Sequence, residues 1–420
     1  MTRASHRPGW PRALLRALAR RTRGLHLLRR RSAEAAPAFD LAYIRTGPRG
    51  GTPVVVIPGG PGLSVVFPYR SFRRQARERN LDLIMIEHRG IGLSRQATDG
   101  TDLPPEAMWV DDVVDDIAAV LAQEKINSAV IVGASYGSYL AAGLGVRHPE
   151  LVAAMILDSP ILSTADHRQE RQAVRKLLHP SVPTTGDAVG TLVARGVDPD
   201  DLLFAARTVY EAGGQGLLDR FLDQLVAGRA RLTWSVLVGA LSREATSSVP
   251  LPFINEFDLV GTLAFRELDY GAEPDGEPFD PVLAYAALAD RYPSFGGEPF
   301  DLRQQLREFT WPTIVMAGHN DLRTAPAVAQ EVASLLPEGY LVEFDNGHSA
   351  LESHPLALLQ VITWLRAGTA RKAAVGAGVL EGLPRRGIAA QLPTLISGLL
   401  RVDALLGRIL PRGRSGRAEH

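Results

Sequence analysis

Ser128-Ala-Val-Ile-Val-Gly-Ala-Ser135-Tyr-Gly-Ser-Tyr-Leu-Ala-Ala-Gly-Leu-Gly145 decides how this 420-residue chain is read. An apolar run ending at Val132 gives way to a helix-like run from Ser138, and Gly133-Ala-Ser135-Tyr-Gly137 lies at the change. A serine on a sharp strand-to-helix turn projects its hydroxyl away from the backbone, and small flanking residues let the turn close. The helix N-terminus behind it offers free N–H groups and a positive dipole end to a developing oxyanion. A base, an acid and a second oxyanion donor should therefore lie elsewhere in the chain.

Outward from that turn, strand, glycine turn and helix alternate. Leu41-Ala-Tyr-Ile-Arg45, Pro53-Val-Val-Val-Ile57 and Leu83-Ile-Met-Ile86 read as strands, the second an unbroken apolar run of the kind buried in a parallel sheet. Residues 108–126 follow helical periodicity and deliver the chain to the strand before Ser135. Met155-Ile-Leu157, Pro312-Thr-Ile-Val-Met-Ala317 and Tyr340-Leu-Val-Glu-Phe344 extend the pattern, with helices over 325–336 and 354–366. The fold class is α/β, a doubly wound, mostly parallel sheet. Between its halves, residues 161–308 consist of helix-like blocks such as 165–178 and 199–225, read as a mainly helical lid. The expected organisation is a basic leader over 1–35, core over 36–160, lid over 161–308, core over 309–368 and a basic C-terminal segment over 369–420.

Charge is distributed unevenly. Residues 1–32 hold ten Arg and no acid, and residues 369–420 hold nine basic residues against three acids, so the body carries −16 to bring the formal total to zero. No apolar run reaches the roughly 18 residues of a bilayer span, and arginines interrupt any signal-peptide core. A soluble, cytoplasmic protein is expected. The stretch 11–28 sets Arg12, Arg16 and Arg20 on one helical face and Leu14, Leu15 and Leu18 on another, which suits either a membrane-surface helix or a solvated leader. Residues 373–386 read as a linker. Leu392, Leu395, Ile396, Leu399, Val402, Leu406, Ile409 and Leu410 then form a helical apolar stripe, for packing on its own domain or a second subunit, or for a membrane contact aided by Arg401 and Arg408. With no Cys there is no disulfide and no thiol nucleophile. No cofactor, metal or nucleic-acid partner is expected.

A serine nucleophile needs a base, and the base needs an acid to hold its tautomer. In this arrangement they arrive later in the chain, in the order Ser, acid, His, on loops after successive strands. Asp321 follows the strand 313–317 in Gly318-His-Asn-Asp, and His348 follows the strand ending at Phe344 in Asp345-Asn-Gly-His. Asp158 is the structural competitor for the acid, Asp345 suits a loop-shaping role, and His88 and His319 are weaker candidates for the base. The oxyanion donors are the Tyr136 backbone, next to the nucleophile, and Gly60 in Pro58-Gly-Gly-Pro-Gly62, where bare backbone can approach a substrate.

Pro58-Gly-Gly-Pro-Gly62, Glu87-His-Arg-Gly-Ile-Gly-Leu-Ser94, Gly133-Ala-Ser-Tyr-Gly137, Gly318-His-Asn-Asp321 and Asn346-Gly-His348, in this order, resemble the α/β-hydrolase fold. Within it they look most like the proline iminopeptidase and tripeptidyl-aminopeptidase group of serine peptidases. The resemblance covers residues 40–160 and 310–367. It implies a Ser135, Asp321, His348 triad, an oxyanion hole from Gly60 and Tyr136, and release of N-terminal residues from peptides. Two positions depart from that pattern: Pro58 stands where the family usually has His, and Glu87 where it usually has Asp.

Aminopeptidases of this type hold the substrate ammonium with lid carboxylates, since an unpaired buried charge is costly. Glu267, with Asp269 and Glu256 nearby, is the expected anchor. Trp234, Phe253, Phe257, Phe265, Tyr270 and Tyr285 supply an aromatic stock for lid core or pocket. The leading expectation is an aminopeptidase acting on a peptide or small acyl substrate. A small-molecule esterase or carbon–carbon bond hydrolase is the alternative, and a non-catalytic hydrolase-like binding protein the rival of another class. Dehalogenase or epoxide hydrolase chemistry is disfavoured, because those relatives use Asp at the position of Ser135.

Overall fold

A computed structural model describes residues 10–31, 37–179, 185–241, 250–387 and 389–409. Eight strands form one sheet: β1 (Leu25–Arg30), β2 (Phe39–Thr46), β3 (Val54–Ile57), β4 (Leu83–Ile86), β5 (Ala129–Ala134), β6 (Val152–Asp158), β7 (Thr313–Gly318) and β8 (Gly339–Phe344). Their order is β1-β2-β4-β3-β5-β6-β7-β8. β1 and β2 pair antiparallel, as do β2 and β4, and every later pairing is parallel. Every residue of β3, β4, β5 and β7 is buried, which explains why their sequences are continuous apolar runs.

The period-2 alternation of the strands divides the core in two. Val55, Ile57 and Ile131 face a layer built from α3 (Val110–Gln123), α4 (Tyr136–Arg147) and α10 (Pro326–Leu335). Val54, Val56 and Val132 face α2 (Arg70–Glu78) and α12 (Pro355–Arg366) on the other side. The lid adds a third core from α5 (His167–Leu178), α6 (Thr185–Ala194) and α7 (Pro199–Val226), where Val174, Val189, Leu202 and Phe221 are buried together. The lid also contains α8 (Arg231–Val236) and α9 (Phe257–Leu268).

Three expectations about the ends of the chain change. The leader is not separate from the core, because β1 is an edge strand registered on β2 from Leu25 opposite Ile44 to Arg30 opposite Phe39. Leu-His-Leu-Leu-Arg-Arg hides this, since an edge strand tolerates charges that a central one does not. Helix α1 (Trp10–Ala19) packs with its arginine side inward: Arg12 forms an ion pair with the buried Glu256, while Leu14 and Leu18 stay exposed. The linker reading of 373–386 also fails, because this stretch includes a short helix, Ala377–Glu381, and buries Ala373 and Leu380. Residues 1–9, 32–36 and 410–420 of the tails, Leu410 among them, lie outside the described residues.

The C-terminal helix α13 (Leu392–Ile409) packs on α7 and α8, with Ile396 and Leu400 completing the lid core. Its Asp403 accepts the N–H of Leu232 at 3.0 Å, the N–H of Thr233 at 2.9 Å and the Thr233 hydroxyl at 2.8 Å. The residue before α8 is Ala230, which has no side-chain acceptor, so Asp403 caps that helix from a distant part of the chain. Asp403→Ala should cost about 1–3 kcal/mol by leaving those buried donors unpaired, read as a lower midpoint in urea unfolding.

Candidate active site

Ser135 is held where β5 turns into α4, with φ 52° and ψ −125°, a backbone conformation that a side chain other than glycine's seldom adopts. Its N–H donates to the Asp158 carbonyl at 2.8 Å. The flanking glycines are required by contact. A Cβ on Gly137 would run into the carbonyl oxygens of Ile57 and Pro58, and one on Gly133 into the Gly137 carbonyl.

Asp321 follows β7 and His348 follows β8, so neighbouring parallel strands deliver both to the edge of the sheet that carries Ser135. His348 Nε2 lies 2.9 Å from Ser135 Oγ, and His348 Nδ1 lies 3.1 and 3.0 Å from the two Asp321 oxygens. A proton on Nδ1 satisfies both contacts, leaving Nε2 free to accept from the serine hydroxyl. Asp321 is fixed by the N–H groups of Arg323 and Thr324 at 2.9 and 3.0 Å and by the Thr324 hydroxyl at 3.0 Å. Burial pushes the Asp321 carboxyl up, but the His348 charge and this donor set outweigh it and hold the group at about 2. Burial pushes His348 down, and the Asp321 charge and hydrogen bond reverse that, leaving it above its ordinary 6.5.

The competing residues have other partners. Asp158 accepts the Ser349 hydroxyl and the N–H groups of Ala350 and Leu351 at 3.0, 2.9 and 2.9 Å, capping the short helix α11 (Ala350–Ser353) after His348. Burial lifts this carboxyl to about 6. Asp345 instead receives the Asn320 side-chain amide at 3.2 Å. His88 is half-buried between the Arg89 carbonyl and the Tyr136 hydroxyl, and desolvation lowers it to about 4. His319 is exposed.

Tyr136 is the first residue of α4, where a backbone N–H has no intrahelical acceptor. Opposite it, a Cβ on Gly59 would lie 3.0 Å from the Ser135 Cβ, so the 58–62 turn passes directly over the nucleophile. Gly60 follows with φ 123°, and its carbonyl accepts from the Tyr270 hydroxyl of the lid at 3.3 Å. Glu87 anchors this turn from below, accepting the Val65 N–H at 2.6 Å and the Ser64 hydroxyl at 3.1 Å. Its complete burial raises the carboxyl to about 7.

A cavity of about 780 Å³ opens above Ser135 and His348. The lid side brings Phe204, Glu211, Phe257, Tyr270 and Tyr285, and the C-terminal segment closes another side with Arg385, Leu392 and Pro393. The expected carboxylate anchors do not border it. Glu267 turns to the N-terminus of α3, where it accepts the Val110 N–H at 3.0 Å, a position favoured by the helix dipole. Glu256 is fully buried, pairs with Arg12 and accepts the Gly92 N–H at 2.6 Å. Asp269 ends α9 in a left-handed conformation, its carbonyl 3.2 Å from His167. Of the six lid aromatics, Phe257, Tyr270 and Tyr285 reach the cavity.

Glu170 and Glu211 are the lid glutamates that border the cavity. Glu211 accepts from Arg323 at 3.1 and 3.3 Å, and its backbone packs so closely on Gly347 that a Cβ there would strike the Glu211 carbonyl. It therefore meets the loops of both Asp321 and His348. The sequence holds one signal for this, the Gly213-Gly214 pair inside an otherwise helical run, where α7 departs from helical φ and ψ.

A family model described as alpha/beta hydrolase fold matches residues 52–185. A proline iminopeptidase of Heyndrickxia coagulans is 31% identical over 319 residues, covering 74% of this chain and 90% of that protein. A probable proline iminopeptidase of Leptolyngbya boryana is 30% identical over 115 residues, 27% of this chain and 33% of that protein. The crystal structure of proline iminopeptidase from Mycobacterium smegmatis aligns with a TM-score of 0.52 at 17% identity, covering 82% of this chain and 99% of that one.

A histidine acts as a base only when neutral, so with His348 as the base its raised pKa would set the pH at which activity fails in acid. The acid limb of kcat/KM on an activated ester should lie above pH 6.5, and Asp321→Asn should move it down while lowering kcat by roughly 10⁴-fold. Steady-state rates between pH 5 and 9 check both; a limb that stays in place would separate Asp321 from the base.

Proposed function

The chain belongs to the α/β-hydrolase family and is a hydrolase, and from that premise we propose that it is a serine aminopeptidase releasing N-terminal residues from peptides. The observation that carries this reading is the Ser135–His348–Asp321 relay opening into a lidded cavity with Glu211 beside the His348 loop. Ser135 Oγ attacks the scissile carbonyl as its proton passes to His348 Nε2, and Asp321 stabilises the resulting imidazolium. The N–H groups of Gly60 and Tyr136 take the oxyanion, and removal of one such donor typically costs about 10²–10³ in turnover. His348 then returns the proton to the leaving amine. Water, activated by the same histidine, cleaves the acyl-enzyme.

Glu211 supplies the carboxylate for the substrate ammonium, with Glu170 further along the lid wall. The proline iminopeptidase relatives support this substrate class, and the apolar rings of Phe257 and Tyr285 give the side chain a place to sit. One observation favours a second reading, a small-molecule esterase. Arg323 already neutralises Glu211, so a neutral acyl substrate would meet a balanced site.

A fluorophosphonate probe should label Ser135 in the folded wild-type protein and not in Ser135→Ala; absence of labelling would favour the non-catalytic binding protein. Glu211→Gln should raise KM for an unblocked aminoacyl-arylamide by roughly 10-fold or more, as expected for a lost hydrogen bond to a charged group. It should leave N-blocked substrates and short aryl esters unchanged. Equal effects on all three would remove Glu211 from ammonium recognition.

A further inference from the structure

Helix α13 has two apolar faces, and among the described residues only one is covered. Ile396, Leu400 and Asp403 point into the lid, and a Cβ on Gly407 would lie 3.3 Å from the Arg229 side chain, so the inward face is packed along its length. Around the same helix, Leu395, Val402, Leu405 and Leu406 are exposed by 56, 44, 54 and 44%. Leu395, Val402 and Leu406 recur at spacings of seven and four, so they line one side over three turns. A helix that packs one face on a soluble core normally turns polar residues outward. Here the outward side offers leucines and valine, with Arg401 as its exposed charge.

We propose that the outer face of α13 docks the protein on an anionic lipid bilayer. The charge around the face selects that occupant. From Arg385 to Arg417 the sequence contains seven Arg and one acid, Asp403. Asp403 is turned inward and committed to capping α8, and Arg385 pairs with Asp345, while Arg386 and Arg401 are exposed. Apolar side chains beside the exposed Arg386 and Arg401, in an arginine-rich stretch of sequence, match the boundary between acyl chains and anionic headgroups, where each basic residue adds electrostatic attraction. A second copy of this chain fits worse, because pairing these faces would set guanidinium groups together with no carboxylate between them. Among the described residues no helix is long and apolar enough to cross a membrane, so α13 lies along the surface. Leu392 and Pro393 at its start also wall the cavity, which places the site next to the bilayer.

The test is co-sedimentation of the full-length protein with phosphatidylcholine vesicles, with and without phosphatidylglycerol. The expected result is at least tenfold stronger partitioning to the anionic vesicles, weakened by added salt. Leu395→Asp/Val402→Asp/Leu406→Asp should abolish it while the thermal midpoint and circular dichroism spectrum stay as in wild type. Arg401→Glu, at an exposed position, should weaken it with the thermal midpoint unchanged. Failure of the wild type to bind anionic vesicles, or binding untouched by these variants, would overturn the proposal. So would a concentration-dependent dimer in sedimentation velocity that the triple substitution dissolves, since a second copy would then own the face.

Discussion

Asp158, at the end of β6, is the residue on which the geometry of the site depends. Its carbonyl receives the Ser135 N–H, and its buried carboxylate gathers Ser349, Ala350 and Leu351 directly after His348. One residue thus fixes the Ser135 backbone and the His348 loop relative to each other. The arrangement is costly, since burial lifts the carboxyl to about 6, and three donors are what make the charged form tolerable there. A catalytic acid in the same position would have to release those donors to reach His348. Asp321 reaches it because the turn after β7 supplies a separate set of N–H groups from Arg323 and Thr324.

The core was readable from the sequence because its determinants are local. The apolar runs of β3, β5 and β7 are buried on both faces, and the glycines around Ser135 are dictated by backbone contacts within a few residues or with the next strand. Ser135, Asp321 and His348 each follow such a run, so their spacing already placed them on one sheet edge. The lid carboxylates were not readable in this way. Whether Glu267 or Glu211 faces the cavity depends on how α9 and α7 rotate against the core, and both lie in helices with acids on more than one side. Glu267 looked available, but the N-terminus of α3 claims it. β1 is hidden for a related reason, since its only exposed positions, Leu27 and Arg29, break the apolar run and its last two residues are arginines.

Of the two departures from the family pattern, Pro58 lies in the turn over Ser135, and Glu87, directly after β4, bonds the segment that follows that turn. Glu87 is fully buried beneath it and bonded to Ser64 and Val65, so its longer side chain serves as a support for the turn. Glu256 is a second carboxylate in this region, tied to Gly92 and to Arg12 of the N-terminal helix. Residues that resemble substrate ligands by type are therefore spent on holding the oxyanion turn and on fastening the N-terminal segment to the core. Of the lid glutamates that border the cavity, Glu211 is balanced by Arg323 and Glu170 by Arg207.

The cap that Asp403 provides for α8, with Ile396 and Leu400 filling the lid core, has a consequence for the order in which the molecule is made. The sheet strands, Ser135, Asp321 and His348 all precede α13 in the chain, so the lid lacks part of its interior until that helix is made. During synthesis Ser135, Asp321 and His348 can therefore come together beneath an unfinished roof, which α13 closes when it follows.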